Sequence, residues 1–299
     1  MGQHLSALTF DAALRTLCAG TPRMLSRRSE TITHRMTLLR DVGRTLLAGG
    51  VLLHLLGRLA RVLAACFLLG HAALALFVLL ASLVLSRWNP PVTALMLYRR
   101  LTVGQKTAET RFVPLRQIPR SARDMVVRLE DFKFYQHGGI DLGAIRDAYL
   151  VNTSIGYTLY GGSTIPQQLA RNLFLTPRKT YLRKYVEALI AVEMDLLLTK
   201  NRILELYLNN IEWGRGVYGI GAAALHSYGT GIGNLSLDRI RRLVTIITNP
   251  LRYNVDTFTR SRQMAARYRY LVSRFPDPID APRVDSPEAD APVPTLPTP

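Results

Sequence analysis

Between Val62 and Ser86 the chain runs for 25 residues without a formal charge, built mainly from Leu, Ala, Val and Phe. A helix rises about 1.5 Å per residue, so such a run reaches across a hydrocarbon core of about 30 Å. A soluble core helix of that length would carry a charged face toward water, and a cleaved leader would start earlier and be shorter. The run therefore reads as a single transmembrane helix over 62–86, and it sorts the remaining residues by side. Residues 1–61 hold nine arginines against Asp11, Glu30 and Asp41. They read as a basic tail, partly disordered or amphipathic. The positive-inside rule keeps that tail in the cytoplasm and places everything after Arg87 outside, with Trp88 as an interfacial anchor. Thr45–Gly57 is a second charge-free stretch, but its 13 residues are few for a crossing. It reads as an interfacial segment or half of a hairpin.

Charge narrows the partners further. The 38 Lys and Arg exceed the 21 Asp and Glu to give +17, which attracts polyanions such as nucleic acid, anionic headgroups or phosphate-bearing substrates. Nucleic acid is disfavoured, because the basic residues are scattered through helices and the domain falls outside the cytoplasm. Cys18 and Cys66 both precede the polar region that follows, and no disulfide framework or cysteine metal site can be built from them. Residues 87–111 show no strong period and read as a connector. Helical signals then dominate from Arg123 to about Phe275, with no alternation of strands and helices and no glycine-rich phosphate loop. The fold class is all-α. Residues 276–299 are rich in Pro, Asp and Glu and read as a disordered tail.

Polar chemistry is concentrated between Glu130 and Glu187. Glu130, Phe134 and His137 are spaced to share one face of a helix that Gly138-Gly139 would end. A carboxylate beside aromatic rings at a helix end is a candidate for a raised pKa and for general-base work. Thr164-Ile165-Pro166-Gln167 has the form of a capping box with Pro in the first turn. The helix it opens would stack Gln167 over Arg171 and Gln168 over Asn172, a face suited to sugar hydroxyls, acetamides and one phosphate. Arg183 and Lys184 stand four and three residues before Glu187 and can point to one side with it. Left exposed, that group is a surface salt bridge worth well under about 1 kcal/mol. At a site, the cations would clamp a leaving diphosphate. Lys200–Asn209 reads as a structural helix, and Gly214, Gly216, Gly219 and Gly221 as points of close backbone packing.

In this order and spacing the blocks closely resemble the five motifs of the family 51 peptidoglycan glycosyltransferases, of the monofunctional, membrane-anchored biosynthetic type. The resemblance covers residues 112–275. It implies a lysozyme-like helical domain that polymerises lipid II into β-1,4 glycan strands by inverting displacement of a polyprenyl diphosphate. It implies Glu130 as catalytic base, Glu187 as second carboxylate, and Ser163, Gln167, Gln168, Arg171, Asn172, Arg183 and Lys184 as substrate-binding residues. A divalent cation, Mg or Mn, can accompany the diphosphate, and no organic cofactor is implied. The place implied is the bacterial plasma membrane, crossed once, with the catalytic domain periplasmic. Partners are lipid II, the growing strand, membrane lipid and other wall-synthesis proteins. A transpeptidase must be among the last, because no Ser-x-x-Lys occurs and Lys179-Thr180 is followed by Tyr181 rather than Gly. The chain departs from the family pattern at Arg171, where Lys is usual, at Tyr228-Gly229-Thr230, which lacks a Lys, and at Asp238-Arg239-Ile240-Arg241-Arg242-Leu243. Small apolar residues and a Glu are usual in that last stretch. The competing readings are a catalytically silent membrane scaffold of a wall-building complex and a glycan-cleaving lysozyme-like enzyme.

Overall fold

The computed structural model describes residues 7–156 and 161–277, with side chains from residue 33 onward apart from 46–48. Two units divide within the first helix, Met1–Ala72 and Ala73–Pro299. That helix, α1, spans Ala7–Arg87. Its stretch Thr33–Arg87 is the one segment among the described residues that is long and apolar enough to cross a membrane. In the first unit Leu52, Leu53, Leu63 and Leu69 are all more than half exposed, so no described residue of that unit covers these apolar side chains. Residues 7–61 are helical, and Thr45–Gly57 runs on into the apolar stretch without the turn that half of a hairpin would need. No proline follows Pro22 in this helix, and the Gly49-Gly50 pair costs helix stability without ending the hydrogen-bond ladder.

In the second unit the last turns of α1 turn Val78, Ser82 and Leu85 inward, spaced i, i+4 and i+7. Val78 and Leu85 join the main core, and Phe77 meets Phe174 edge-on with ring centroids 5.5 Å apart. Arg202 finishes the helix. Its Nε donates to the Leu85 carbonyl at 2.7 Å and its Nη2 to the Trp88 carbonyl at 3.0 Å and Asn89 Oδ1 at 2.7 Å. The Leu85 and Trp88 oxygens are backbone carbonyls of the kind that a helix end leaves without partners. The same guanidinium pairs with Glu205, which in turn accepts from the Leu115 N–H at 2.7 Å.

The stretch expected as a connector contains a helix, α2 (Ala94–Val103), capped by Thr93 and stopped by Gly104. Only Leu95 and Met96 are buried on it, against Tyr218, which is too few to register as a period in the sequence. Among the described residues eight further α-helices follow: α3 (Arg120–Glu130), α4 (Leu142–Ile155), α5 (Ile165–Phe174), α6 (Tyr181–Leu197), α7 (Lys200–Asn210), α8 (Ile220–Tyr228), α9 (Leu237–Ile246) and α10 (Arg262–Arg274). The only described strands are β1 (Glu212–Gly214) and β2 (Val217–Tyr218), an antiparallel pair with an irregular register. Helix α5 is the hub, packed on α2, α6 and α7, while α9 lies against α3 and α10.

Helix α3 stops at Glu130, with Asp131 as its C-cap, so Glu130, Phe134 and His137 do not share a helix face. The cause is long-range. Asp131 accepts from the Ile165 N–H at 2.8 Å, at the start of α5, and meets His137 Nε2 at 3.0 Å. A carboxylate committed to another helix's unpaired N–H groups ends its own helix. Phe134 remains a core residue. The glycine cluster behaves as its spacing suggests. Gly219 has φ +85°, and a Cβ there would lie 2.6 Å from the Asn209 carbonyl; one at Gly221 would lie 2.7 Å from that of Arg111. Of the acidic, proline-rich tail, residues 278–299 lie outside the described residues.

Candidate active site

Glu130 sits at the C-terminal end of α3 with its side chain 9% exposed. Its Oε1 accepts from Arg267 Nη2 at 2.5 Å and from Thr248 Oγ1 at 3.4 Å, and its Oε2 from Gln168 Nε2 at 3.2 Å. The aromatic surroundings expected for this carboxylate are replaced by a guanidinium, an amide and a hydroxyl. Two clefts meet here. One is lined by Glu130, Arg128, Asp147, Gly161 and Ser163, the other by Gln168, Arg171, Asn172, Tyr207 and Thr248. Glu130 thus belongs to the wall of one cleft while its partners Gln168 and Thr248 belong to the other.

Helix α5 supplies most of the second cleft, and its first turn explains which side chains are free to do so. Thr164 accepts from the Gln167 N–H, and the Gln167 side chain returns to the Thr164 N–H at 3.1 Å, forming the expected capping box. Gln167, expected to bind substrate, is buried with its side-chain oxygen held by the backbone of the cap. Gln168 takes the central position. It donates to Glu130 and to the Ser163 carbonyl at 3.3 Å, and accepts from the Tyr207 hydroxyl at 3.0 Å. Asn172 donates to the Gln168 carbonyl at 2.7 Å. Arg171 lines the second cleft and makes no ion pair among the described residues. Tyr207 is fully buried; burial first, and the Glu130 charge next, push its phenol well above the ordinary value. It therefore stays a hydrogen-bond donor.

Glu187 is 0% exposed, and its two oxygens are taken by Arg183 and Lys184. This is a buried ion cluster, not the exposed pair that spacing alone allowed. Glu187 lines neither cleft. The cluster reaches the site through Lys184, whose Nζ donates to Ser163 Oγ at 2.9 Å. From there the Ser163 carbonyl leads to Gln168 and Glu130. All nine expected site residues, Gln167 included, are thus gathered around α5 and the start of α6.

Sequence reasoning missed Arg267, Tyr207 and Thr248. Arg267 carries a readable signal, because α10 places Met264, Arg267 and Leu271 on one stripe, and a charge inside an apolar stripe requires a buried partner. Tyr207 looked like one more aromatic in the packing stripe of α7. Thr248 lies just beyond α9, where no pattern marks it. Among the described residues no three His, Cys, Asp or Glu side chains converge as a metal site would require.

A helical frame, a nearly buried carboxylate beside a polar cleft and a bank of cations on one side describe the transglycosylase class of enzyme. The family model described as Transglycosylase matches residues 98–275, and the chain belongs to that family. The match begins inside α2, ahead of residue 112. The chain is 41% identical over 176 residues to the biosynthetic peptidoglycan transglycosylase of Nitrosospira multiformis, covering 58% of this chain and 76% of that protein. It is 38% identical over 203 residues to that of Dechloromonas aromatica, with 66% and 87% covered. With the Laribacter hongkongensis protein of the same name it shares 38% over 213 residues, with 68% and 92% covered.

Proposed function

We propose that the chain is a peptidoglycan glycosyltransferase that polymerises lipid II into β-1,4-linked strands. The observation that carries this reading is the Glu130 carboxylate held by Gln168 and Thr248 at the edge of a polar cleft that also carries Arg171, which sets a base and a cation for the leaving diphosphate beside one space. The carboxylate would take the proton of the acceptor 4-hydroxyl as that oxygen attacks the anomeric carbon. The bond to the polyprenyl diphosphate breaks on the opposite face, which inverts an α link to β. The leaving diphosphate needs no proton if cations neutralise it. Arg171 is available for this at once. Arg183 and Lys184 are held as a rigid pair by Glu187, whose burial favours the role of orienting cations over that of touching sugar. A divalent ion would need ligands from the diphosphate itself, since no three His, Cys, Asp or Glu side chains converge among the described residues.

Helix α1 supplies a reason for anchoring. A lipid-linked substrate stays in the bilayer, so an enzyme with an apolar helix ahead of its domain would meet it there. The arginines before the apolar run favour a cytoplasmic amino terminus and a periplasmic site. Crosslinking would then fall to a transpeptidase partner. The test is polymerisation of labelled lipid II by the detergent-solubilised protein beside its Glu130→Gln variant. Wild-type product that lysozyme digests, with none from the folded variant, is the expected result. Equal product from both would remove Glu130 as the base, and none from the wild type would remove the activity.

A further inference from the structure

Helix α9 is where the chain departs furthest from the family pattern, and one of its charges, Arg241, is buried while Asp238 and Arg242 are about a third exposed and paired with each other. The Arg241 side chain is 2% exposed. Its Nε and Nη2 donate to the Phe275 carbonyl at 3.0 and 2.6 Å, and its Nη1 meets Asp277 at 3.0 Å. Phe275 is the C-cap of α10, so this guanidinium closes the carboxyl end of α10, where a cation is favoured. Asp238 accepts from Arg242 Nε at 2.7 Å and from the Tyr268 hydroxyl of α10. The Arg242 guanidinium also lies 5.7 Å from the Tyr268 ring. Helix α10, clamped at its middle and its end, then presents Arg267 to Glu130, and Tyr270 accepts from Arg128 Nε at 2.7 Å. Arg128 and Glu130 both belong to the last turn of α3.

We propose that α10 is a working part of the site, in which Arg267 is the positioning residue that fixes the Glu130 carboxylate and the charged face of α9 is the lock that sets Arg267. The inference rests on Glu130 being the base. A carboxylate offers about four lone-pair sites. Arg267 and Thr248 occupy those of Oε1, and Gln168 one of Oε2, which leaves a single site on Oε2 for an incoming proton. A guanidinium has no acceptor and keeps its protons, so Arg267 orients Glu130 without competing for the transferred proton. Other ionisable groups near this point are Tyr207, with Arg171 and Asp131 acting on it, and the Arg128–Tyr270 pair of α3 and α10. Of these, Tyr207, Arg171 and Asp131 make no hydrogen bond or ion pair to Glu130 among the described residues. The unusual α9 thereby supports the site and counts against the silent-scaffold reading.

The experiment compares Arg267→Met, Arg267→Lys and Arg241→Met in lipid II polymerisation across pH. Misplacing a reacting group by about 1 Å can cost about 100-fold, so Arg267→Met should lower kcat by about that factor with KM within about threefold. The acidic limb of its rate–pH profile should move to higher pH, and Arg267→Lys should recover part of both. Arg241→Met, which touches neither substrate nor Glu130, should move kcat and profile the same way by a smaller factor, about tenfold on the same reasoning. A packing role alone would reduce the yield of folded enzyme and leave the profile of the remainder unchanged. A thermal-stability cycle of Glu130→Gln and Arg267→Met, with and without Arg241→Met, reads the same contact without any activity. Non-additive shifts that shrink in the Arg241→Met background support the lock even if the wild type makes no polymer, which would overturn only the assigned reaction. An unchanged profile in Arg241→Met, or an additive cycle, overturns the proposal.

Discussion

Replacing Glu187 by Gln removes one negative charge and no volume from a point where two cations converge. Were the pair on the surface, the loss would be below about 1 kcal/mol. The Glu187 side chain is instead 0% exposed and that of Arg183 15%. Breaking a buried pair from one side costs about 3–5 kcal/mol, because the remaining charge stays desolvated. Lys184 is 39% exposed and can turn to water, so Arg183 carries the penalty and the lower end, about 3 kcal/mol, is expected. For a domain of this size about 1 kcal/mol moves Tm by about 2–4 °C, so Glu187→Gln should lower it by about 6–12 °C. Far-UV circular dichroism of the purified protein in detergent measures this. The double variant Arg183→Met/Glu187→Gln should regain part of the loss, since no unpaired guanidinium remains. A drop below about 4 °C for the single variant, the value of an exposed pair, would refute the reasoning.

Two further outcomes follow from local geometry and charge. Gly219→Ala should destabilise the domain well beyond Gly229→Ala, measured as the shift in urea midpoint. Both positions have positive φ, which costs an L residue about 1–2 kcal/mol, but a Cβ at 219 also meets the Asn209 carbonyl while one at 229 meets nothing within 4 Å. Equal shifts would show that α7 and α8 can separate freely. Burial pushes the Asp238 carboxyl up, but hydrogen bonds from Tyr268 and Arg242 outweigh this and hold it below the ordinary carboxylate range. A depressed carboxyl stabilises the fold above its unfolded value and loses that contribution as pH falls through the folded one. Asp238→Asn should therefore lower Tm at neutral pH, with the gap to wild type closing below about pH 4. A gap that persists in acid would place the effect in packing.

The sequence spoke clearly where a local rule decides the outcome. The capping box at Thr164 and the cations one turn before Glu187 each need only neighbours in the chain. It spoke less clearly where distant segments compete. Glu130–His137 has helical spacing, yet Asp131 is drawn to the start of α5 and the helix ends early. Gln167 and Gln168 look equivalent in sequence, and only the cap distinguishes the one facing backbone from the one facing Glu130. Helix α2 was hidden because two buried residues make no period. Arg267 and Arg241 were legible as charges in apolar stripes, but the carboxylate and carbonyl they serve lie far away along the chain.

Arg202 holds three oxygens at the exit of α1 and stands on α7, one turn or so before Tyr207. The residues from Ala73 to Asn89 and the floor of the second cleft are therefore joined by a brace instead of a hinge. With the helix end and the cleft floor unable to swivel independently, the height of the cleft above the last apolar turn is a built-in dimension of the molecule. In a bilayer, thickness would then act as a gauge of how well the cleft meets a headgroup, and a thinner or thicker membrane would change the working rate without touching any residue of the site.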